Sequence, residues 1–280
     1  MAAAAPTLPC LVFDYGGEQQ RTKLFSVSDG AHRACEVEEL RGKRSWPTSH
    51  GWVLAWDPAT AATFLWNPPR APGAAADQIA LPPLAQPPPL RSVCALSGDP
   101  SCCTVAGGRC TVLLAEPPQS TILWYCHAGG TAWTRHEYDL GSASIRVPEG
   151  DAWCKRTVHR LASCRGRFYY PHSSTRCGVI GFSPVAGAGL PELGTVPMKM
   201  VRPRIPEGDF MATAATYLVE IGGDLHTVCV CHGIDVTSVA DVGVYRMDFA
   251  KQEHVRVESI GDRAILAGSG SGFGGWCPAT

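Results

Sequence analysis

The chain has 280 residues, 45% of them hydrophobic and 18% charged, so it can bury a sizeable core and is not expected to be disordered. Its formal net charge of −1 gives no electrostatic reason to expect nucleic acid or an anionic membrane as a partner. No stretch approaches the roughly 20 apolar residues of a membrane span. No signal peptide precedes the 13 cysteines, which indicates free thiols and a protein of the cytoplasm, the nucleus or both.

The N-terminal half of the chain is rich in short apolar runs that predict β-strands. Residues 1–10 are expected to be a disordered N terminus, and 11–280 to form one domain. Residues 51–56 ("GWVLAW") and 63–68 ("TFLWNP") predict a hairpin, because the intervening "DPATAA" starts with good turn chemistry. The Pro/Ala-rich segment 68–90 that follows is interpreted as a loop between two structural units.

Strand signals continue in the same style to the C terminus. The sequence predicts a meander over 110–116, 121–127 and 132–139, and a hairpin whose strands 216–221 and 225–231 are joined by "GGD". It predicts a second meander over 243–249, 254–260 and 263–268. Helical periodicity is nearly absent, so no helices are available as parallel crossovers and the class is all-β and antiparallel.

Four glycines mark a repeat beneath these strands. Gly51, Gly108, Gly166 and Gly223 each precede an apolar run, and their separations are 57, 58 and 57 residues. A repeating all-β unit favours a β-propeller of four-stranded antiparallel blades, which commonly take about 40–50 residues each. A pair of β-sandwiches is the alternative. The next glycine of the series would fall near residue 280, so the last blade is expected to be incomplete unless N-terminal strands complete it.

Three short motifs suggest chemistry, but local structure argues against each. Gly270, Gly272 and Gly275 spell G-x-G-x-x-G, yet no helix follows them to hold a phosphate. In "CVCHG", Cys229 and Cys231 would share one face of a strand while the following histidine faces the other way, which suits a core better than a metal. Adjacent Cys126 and His127 face opposite sides for the same reason. We therefore expect no cofactor, no metal and no catalytic site.

The eight tryptophans divide into two groups by position. Trp52, Trp56 and Trp66 lie in one predicted hairpin and are expected to pack between blades. The second group lies near predicted turns, where aromatic side chains can line an exposed face and anchor a partner: Trp46, Trp133, Trp153 and Trp276.

Several phrases, in order, resemble the large plant family with the KIB-type β-propeller domain, which is often found behind an F-box. The resemblance runs from about residue 8 to the end, and the ordered set of phrases is more specific than any one of them. The phrases are 40–68 ("LRGKRSWPTSHGWVLAWDPATAATFLWNP"), 79–84 ("IALPPL"), 161–170 ("LASCRGRFYY"), 217–225 ("YLVEIGGDL"), 244–249 ("VYRMDF") and 258–279 ("ESIGDRAILAGSGSGFGGWCPA").

The resemblance implies a non-catalytic propeller that binds a protein partner, as in the F-box proteins that present substrates to cullin-based ubiquitin ligases. Residues 1–10 are too few for an F-box, so we do not expect contact with a cullin adaptor. The alternatives are a propeller that binds a small ligand or catalyses a reaction in its central channel, and a truncated copy without activity.

The glycine repeat also suggests where a partner would bind. If Gly51 and Gly166 start innermost strands, His50 and Arg165 lie near the mouth of the channel. Together with Arg44 and Trp46, they form the predicted contact surface. The alternative role for these residues is hydrogen bonding between neighbouring blades.

Overall fold

The structure is a computed structural model, and more than half of the residues that it describes lie in antiparallel strands. The helical segments among them are single turns at Glu38–Leu40, Ser49–Gly51 and Pro100–Cys103. No described helix has the length and apolarity needed to cross a bilayer. The predicted all-β class is confirmed. The described residues are 10–14, 22–26, 31–34, 37–67, 76–89, 91–103, 110–147, 150–182, 189–203, 213–233, 238–267 and 274–278.

Four of the sheets have four strands each, and each is a meander in chain order, which is the form of a propeller blade. A three-stranded sheet comes first: β1 (Cys10–Asp14), β2 (Thr22–Ser26) and β3 (Ala31–Ala34). Blade 1 is β4 (Arg44–Pro47), β5 (Val53–Trp56), β6 (Thr63–Asn67) and β7 (Asp77–Leu81). Blade 2 is β8 (Val93–Leu96), β9 (Thr111–Ala115), β10 (Ile122–His127) and β11 (Thr134–Glu137).

A two-stranded ribbon separates blade 2 from blade 3, and a two-stranded sheet follows blade 4. The ribbon is β12 (Ser142–Val147) and β13 (Gly150–Lys155). Blade 3 is β14 (Ala162–Cys164), β15 (Arg167–Ser173), β16 (Arg176–Gly181) and β17 (Glu192–Pro197). Blade 4 is β18 (Thr213–Ile221), β19 (Asp224–His232), β20 (Val239–Asp248) and β21 (Glu253–Arg256). The last sheet is β22 (Arg263–Ala267) and β23 (Gly274–Pro278).

The blades pack face to face around their first strands. β4 lies against β8, β8 against β14, and β14 against β18, so the first strand of each blade is the innermost one. Because successive side chains of a strand point to opposite faces, each blade contributes to two apolar interfaces. In blade 2, Leu114 packs toward blade 1 while its neighbour Leu113 packs toward blade 3. This radial packing is that of the predicted β-propeller.

Three interfaces between consecutive blades form most of the core. Between blades 1 and 2 lie Trp46, Trp52, Leu54, Leu65, Leu96, Val112 and Leu114. Between blades 2 and 3 lie Leu113, Leu123, Tyr125, Phe168, Tyr170 and Ile180. Between blades 3 and 4 lie Ala162, Cys177, Leu218, Leu225 and Met247. Each fully buried Leu, Val, Ile or Phe stabilises the fold by about 1.5–3 kcal/mol through the area it removes from water.

The repeating glycines mark the turn between the first and second strands of a blade. Gly51, Gly166 and Gly223 have φ angles of +76°, +79° and +86°, a region that favours glycine because it has no Cβ. In blades 3 and 4 the residue before the glycine also has a positive φ, which gives the two-residue hairpin turn that matches strand twist. The prediction that Gly51 and Gly166 start innermost strands is wrong, since they precede second strands. Gly108 lies outside the described residues.

The predicted hairpins are confirmed in β5–β6 and β18–β19, and the first meander is confirmed in β9–β10–β11. The second meander is wrong. β20 and β21 complete blade 4, whereas β22 pairs with β23. Between them the chain turns through Gly261, and Ile260 and Ile265 pack on the face of blade 4 that points away from blade 3. Strand spacing alone does not reveal this change of partner.

The predicted loop over 68–90 is also corrected. Within it, β7 pairs with β6 as the outermost strand of blade 1, and most of its side chains are exposed. A polar, half-solvated edge strand beside several prolines has the composition of a loop, so its role was not visible in the sequence. The predicted disordered terminus 1–10 lies outside the described residues, except that Cys10 begins β1.

Candidate interaction surface

Hydrogen bonds between neighbouring blades define two faces of the propeller. The turn after β14 contacts the turn after β18, through Arg165 and Gly223. The residue Arg160, just before β14, contacts Thr216 near the start of β18. The first strands of blades 3 and 4 therefore run in the same direction. We call the face with the first turn of each blade the turn face, and the opposite face, where first strands begin, the start face.

On the turn face, Arg165 binds the neighbouring blade. Its Nε donates to the Gly223 carbonyl oxygen at 2.9 Å, and its Nη2 lies 2.9 Å from Oδ1 of Asp224. The side chain is nevertheless 74% exposed, so this ion pair contributes at most about 1 kcal/mol to stability. The alternative role for Arg165, bonding between blades, is present in the structure, and its role toward a partner stays a prediction.

The exposed His50 lies close to a contact between blades 1 and 2. Trp52, two residues later, donates its indole N–H to Oδ1 of Asp99, in the loop after β8, at 3.2 Å. Burial of Asp99 opposes its ionisation, but hydrogen bonds from Ser101 and Trp52 and the nearby charge of His50 outweigh burial and lower the pKa of Asp99. On the turn face, the charged groups of Arg165 and Asp99 thus interact with groups of the same chain.

The other two predicted residues lie elsewhere. Trp46 is only 2% exposed and packs between blades 1 and 2, so it cannot contribute to a contact surface. The half-buried Arg44 stacks on Trp56, with its guanidinium carbon 5.6 Å from the ring centroid. Arg44 begins β4 at the start face, whereas His50 lies in the turn that follows β4. The four predicted residues therefore do not form one surface.

Of the tryptophans expected near an exposed face, Trp153 is exposed. Its side chain is 75% accessible on the ribbon, the largest exposure of any large apolar residue among those described. Trp133 is half-buried and donates its indole N–H to the Pro82 carbonyl oxygen of blade 1 at 2.8 Å. The side chain of Trp276 lies outside the described residues. The predicted packing between blades is confirmed for Trp52 and Trp56, whereas Trp66 is buried on the other face of blade 1, away from blade 2.

The ribbon that carries Trp153 extends beyond the blades. Within the described part of the chain, β12 and β13 pair only with each other. A bond from the Arg156 backbone N–H to the Gly141 carbonyl oxygen, 2.9 Å long, continues the ladder to the ribbon's base. Cys154 and Lys155 beside Trp153 are exposed as well. A large aromatic ring is thus held in water on a regular element, where a partner can reach it.

Three arginines lie near the base of the ribbon, at blade 3, and we call Arg156, Arg160 and Arg176 the basic rim. Arg156 donates Nη1 to the His172 carbonyl oxygen at 3.1 Å. Arg176 donates Nε and Nη2 to the hydroxyl of Thr195 at 2.9 and 2.6 Å.

The third arginine of the basic rim reaches blade 4. Arg160 donates Nη1 to the Thr216 carbonyl oxygen at 2.8 Å and stacks on Tyr217, 4.9 Å from its centroid. The acceptors that the structure describes for these three arginines are neutral oxygen atoms: the backbone carbonyls of His172 and Thr216 and the hydroxyl of Thr195.

The positive charge of the basic rim lowers the pKa of two nearby histidines. Burial lowers the pKa of His172, and the charges of Arg156 and Arg176 lower it further. Burial and the charge of Arg160 lower the pKa of His159, against an opposing backbone hydrogen bond at Thr157. The bonds of these arginines to neutral oxygen atoms were not visible in the sequence, because their partners come from different strands.

The cysteine motifs behave as core residues. Cys229 and Cys231 are buried on one face of β19 with their sulfurs 3.8 Å apart, and burial and the Cys231 thiol raise the pKa of Cys229 to about 12. Cys126 is buried between blades 1 and 2, whereas Nδ1 of His127 bonds the Thr111 hydroxyl. Among the described residues, no group of three His, Cys, Asp or Glu is placed to hold a metal. Of the terminal glycine motif, Gly275 lies in β23 and Gly270 and Gly272 lie outside the described residues.

Comparison with known proteins agrees with this architecture. A family model described as the KIB1-4 beta-propeller matches residues 24–274, which is most of the chain. No curated protein is significantly similar to the chain.

Proposed function

Because the chain belongs to the KIB1-4 beta-propeller family, we propose that it is a non-catalytic module that binds another protein. In this proposal it acts like the substrate-recognition part of an F-box protein of a cullin-based ubiquitin ligase. A propeller presents many loops and edges on a rigid ring, so it can bind a partner without any catalytic arrangement. The proposal includes a location in the cytoplasm or nucleus, where the buried free thiols of the described residues would stay reduced.

The observation that carries the proposal is the exposure of Trp153. Leaving an indole in water forgoes the favourable burial that four other tryptophans obtain in the core, namely Trp46, Trp52, Trp56 and Trp66. Tryptophan is also enriched among the residues that dominate the energy of protein interfaces. Its place on the two-stranded ribbon, beside the exposed Cys154 and Lys155, suits an anchor that a partner encloses.

Affinity capture tests this proposal. The immobilised chain is incubated with an extract of the source tissue, and bound proteins are quantified by mass spectrometry. Trp153→Ser should lose at least one specifically captured protein by about tenfold or more, because it removes the aromatic anchor. Trp153→Phe, the matched control, keeps an apolar ring and should retain most of the capture. Equal capture by the wild type and Trp153→Ser, or no specific capture at all, would overturn the proposal.

The same captured set tests the link to ubiquitin ligases. Cullin-adaptor subunits in it would support that link. Their absence would remove the ligase from the proposal while leaving the protein-binding role in place.

A further inference from the structure

We infer that the chain pairs with a second copy of itself through β13 of the ribbon. The open edges of two β13 strands join antiparallel, so that the two ribbons become one four-stranded sheet with two-fold symmetry. This pairing goes beyond the proposed function, which concerns a different protein. It follows from the backbone of the ribbon and from the order of residues along one of its edges.

The backbone of β13 has an open edge. Among the strands that the structure describes, β13 pairs with β12 and with no other. The backbone N–H of Arg156 donates to the Gly141 carbonyl oxygen at 2.9 Å, so these two residues are a hydrogen-bonded pair of the ladder. Such pairs alternate with pairs whose N–H and C=O groups point away from the neighbouring strand. In the register of the ribbon, Asp151, Trp153 and Lys155 belong to the second kind, so their backbone groups point to the open edge.

This edge has few of the features that keep other strands away. Proteins usually protect an open edge with a proline, a bulge, a charged side chain or a covering element. β13 contains no proline, and its six residue pairs with β12 run without a register shift. Trp153, Cys154 and Lys155 are exposed, so another strand can reach them. The remaining protection is the charge of Lys155, which a suitably placed acidic residue would turn into an attraction.

The order of residues along this edge is self-complementary. Asp151 and Lys155 stand two residues before and two residues after Trp153. When two copies of β13 pair antiparallel about Trp153, the two tryptophans are opposite each other, and each Asp151 is opposite Lys155 of the second copy. Aromatic pairs and opposite charges on directly paired residues both stabilise a sheet. A shift of two residues in either direction places the tryptophan opposite a charged residue instead.

The other edge of the ribbon lacks this pattern. By the same register, the backbone groups of Ser142, Ser144 and Arg146 point away from β13. Two β12 strands paired about Ser144 would place serine opposite arginine, without opposite charges or an aromatic pair. The open edge of β13 is therefore the one that suits a second copy.

The antiparallel arrangement also keeps the two propellers apart. The base of each ribbon lies at Arg156, and in this register the two Arg156 residues are six positions apart along the paired strands, about 20 Å at the rise of a β-strand. One strand pair with two indoles is smaller than a standard protein interface, so we expect a weak dimer with a dissociation constant of roughly 10–100 μM.

Sedimentation velocity over protein concentrations of about 1–300 μM tests the inference. The wild type should change from monomer to dimer within this range. Lys155→Asp and Asp151→Lys each place like charges opposite each other at both ends of the strand pair, so each should raise the dissociation constant about tenfold or more. An equimolar mixture of these two variants should recover the association, because every charge then has its opposite in the other copy.

The matched control is Lys251→Asp, in the exposed turn between β20 and β21 of blade 4, which changes the net charge as much as Lys155→Asp does. It should leave the association unchanged, and urea unfolding confirms that every variant folds cooperatively. A wild type that stays monomeric, equal loss in Lys251→Asp, or a mixture that associates no better than its components would overturn the inference. All of these variants keep Trp153, so the capture of other proteins tests the proposed function independently of these outcomes.

Discussion

Blade 3 carries exposed or half-exposed arginines at both ends of its strands, and the two ends use them differently. On the turn face, Arg165 is paired with Asp224 of the next blade. At the start face, Arg156 and Arg176 bond only neutral oxygen atoms among the described residues. An arginine that is paired with an acidic residue of the next blade stabilises the contact between the blades. An arginine that bonds only neutral oxygen atoms keeps its charge available for an anionic group of another molecule. The comparison contrasts an arginine that has an acidic partner in the next blade with arginines that bond neutral oxygen atoms.

The largest effect is expected on the stability of the fold, when a buried side chain in the middle of blade 3 is removed. Phe168 is fully buried between blades 2 and 3, on the strand that links the first turn of blade 3 to His172. Phe168→Ala should lower the free energy of unfolding by about 3–5 kcal/mol, because it deletes a ring and leaves a cavity. Urea denaturation measures this. A loss below about 1 kcal/mol would mean that blade 3 does not depend on this interface. Trp153→Ala, which changes an exposed ring, is the control.

A smaller effect is expected at the turn face. Arg165→Glu should cost about 0.5–1 kcal/mol, because it replaces an exposed attraction to Asp224 with repulsion. Adding Asp224→Arg should restore much of that loss, and the restored part should shrink at high salt. A double-mutant cycle in urea gives the coupling energy. A coupling energy of zero would show that the ion pair between Arg165 and Asp224 does not stabilise the contact between blades 3 and 4.

The smallest effect, and the most local one, concerns the titration of His172. Replacing Arg156 and Arg176 with glutamine should raise the pKa of His172 toward its ordinary value, while burial keeps part of the depression. Histidine NMR titration measures the shift, and Arg165→Gln should not produce it. An unchanged pKa in the double variant would show that the rim charges are neutralised after all.

The same titration has a consequence for stability. Because the folded-state pKa of His172 lies below its unfolded value, protonation favours the unfolded chain. Its contribution to stability is complete above a pH of about 6.5 and is lost as the pH falls through the folded-state pKa. In the double variant this loss on acidification should be smaller.

Much of the fold could be predicted from the sequence because the signals are local. Short apolar runs placed the two middle strands of blade 1, three strands of blade 2 and the strands of blade 4, and the glycine repeat marked first turns. Gly51 and Gly166 were predicted to start innermost strands, but each precedes the second strand of its blade. A turn residue does not show which of the two strands it joins is the innermost one. The candidate site was harder to predict. Of the four proposed contact residues, one is buried and the other three lie on two different faces.

The sequence by itself therefore determined the all-β class, the repeat that builds the blades and the burial of the tryptophans near Gly51. These follow from side-chain alternation and turn chemistry, which act over a few residues. Only the tertiary structure decided that β22 pairs outside blade 4 and that Trp46 is buried while Trp153 is exposed. It also decided that Arg165 has an acidic partner while Arg156 and Arg176 bond neutral oxygen atoms. Such outcomes depend on which distant elements come together, as Arg165 and Asp224 do across 59 residues of chain.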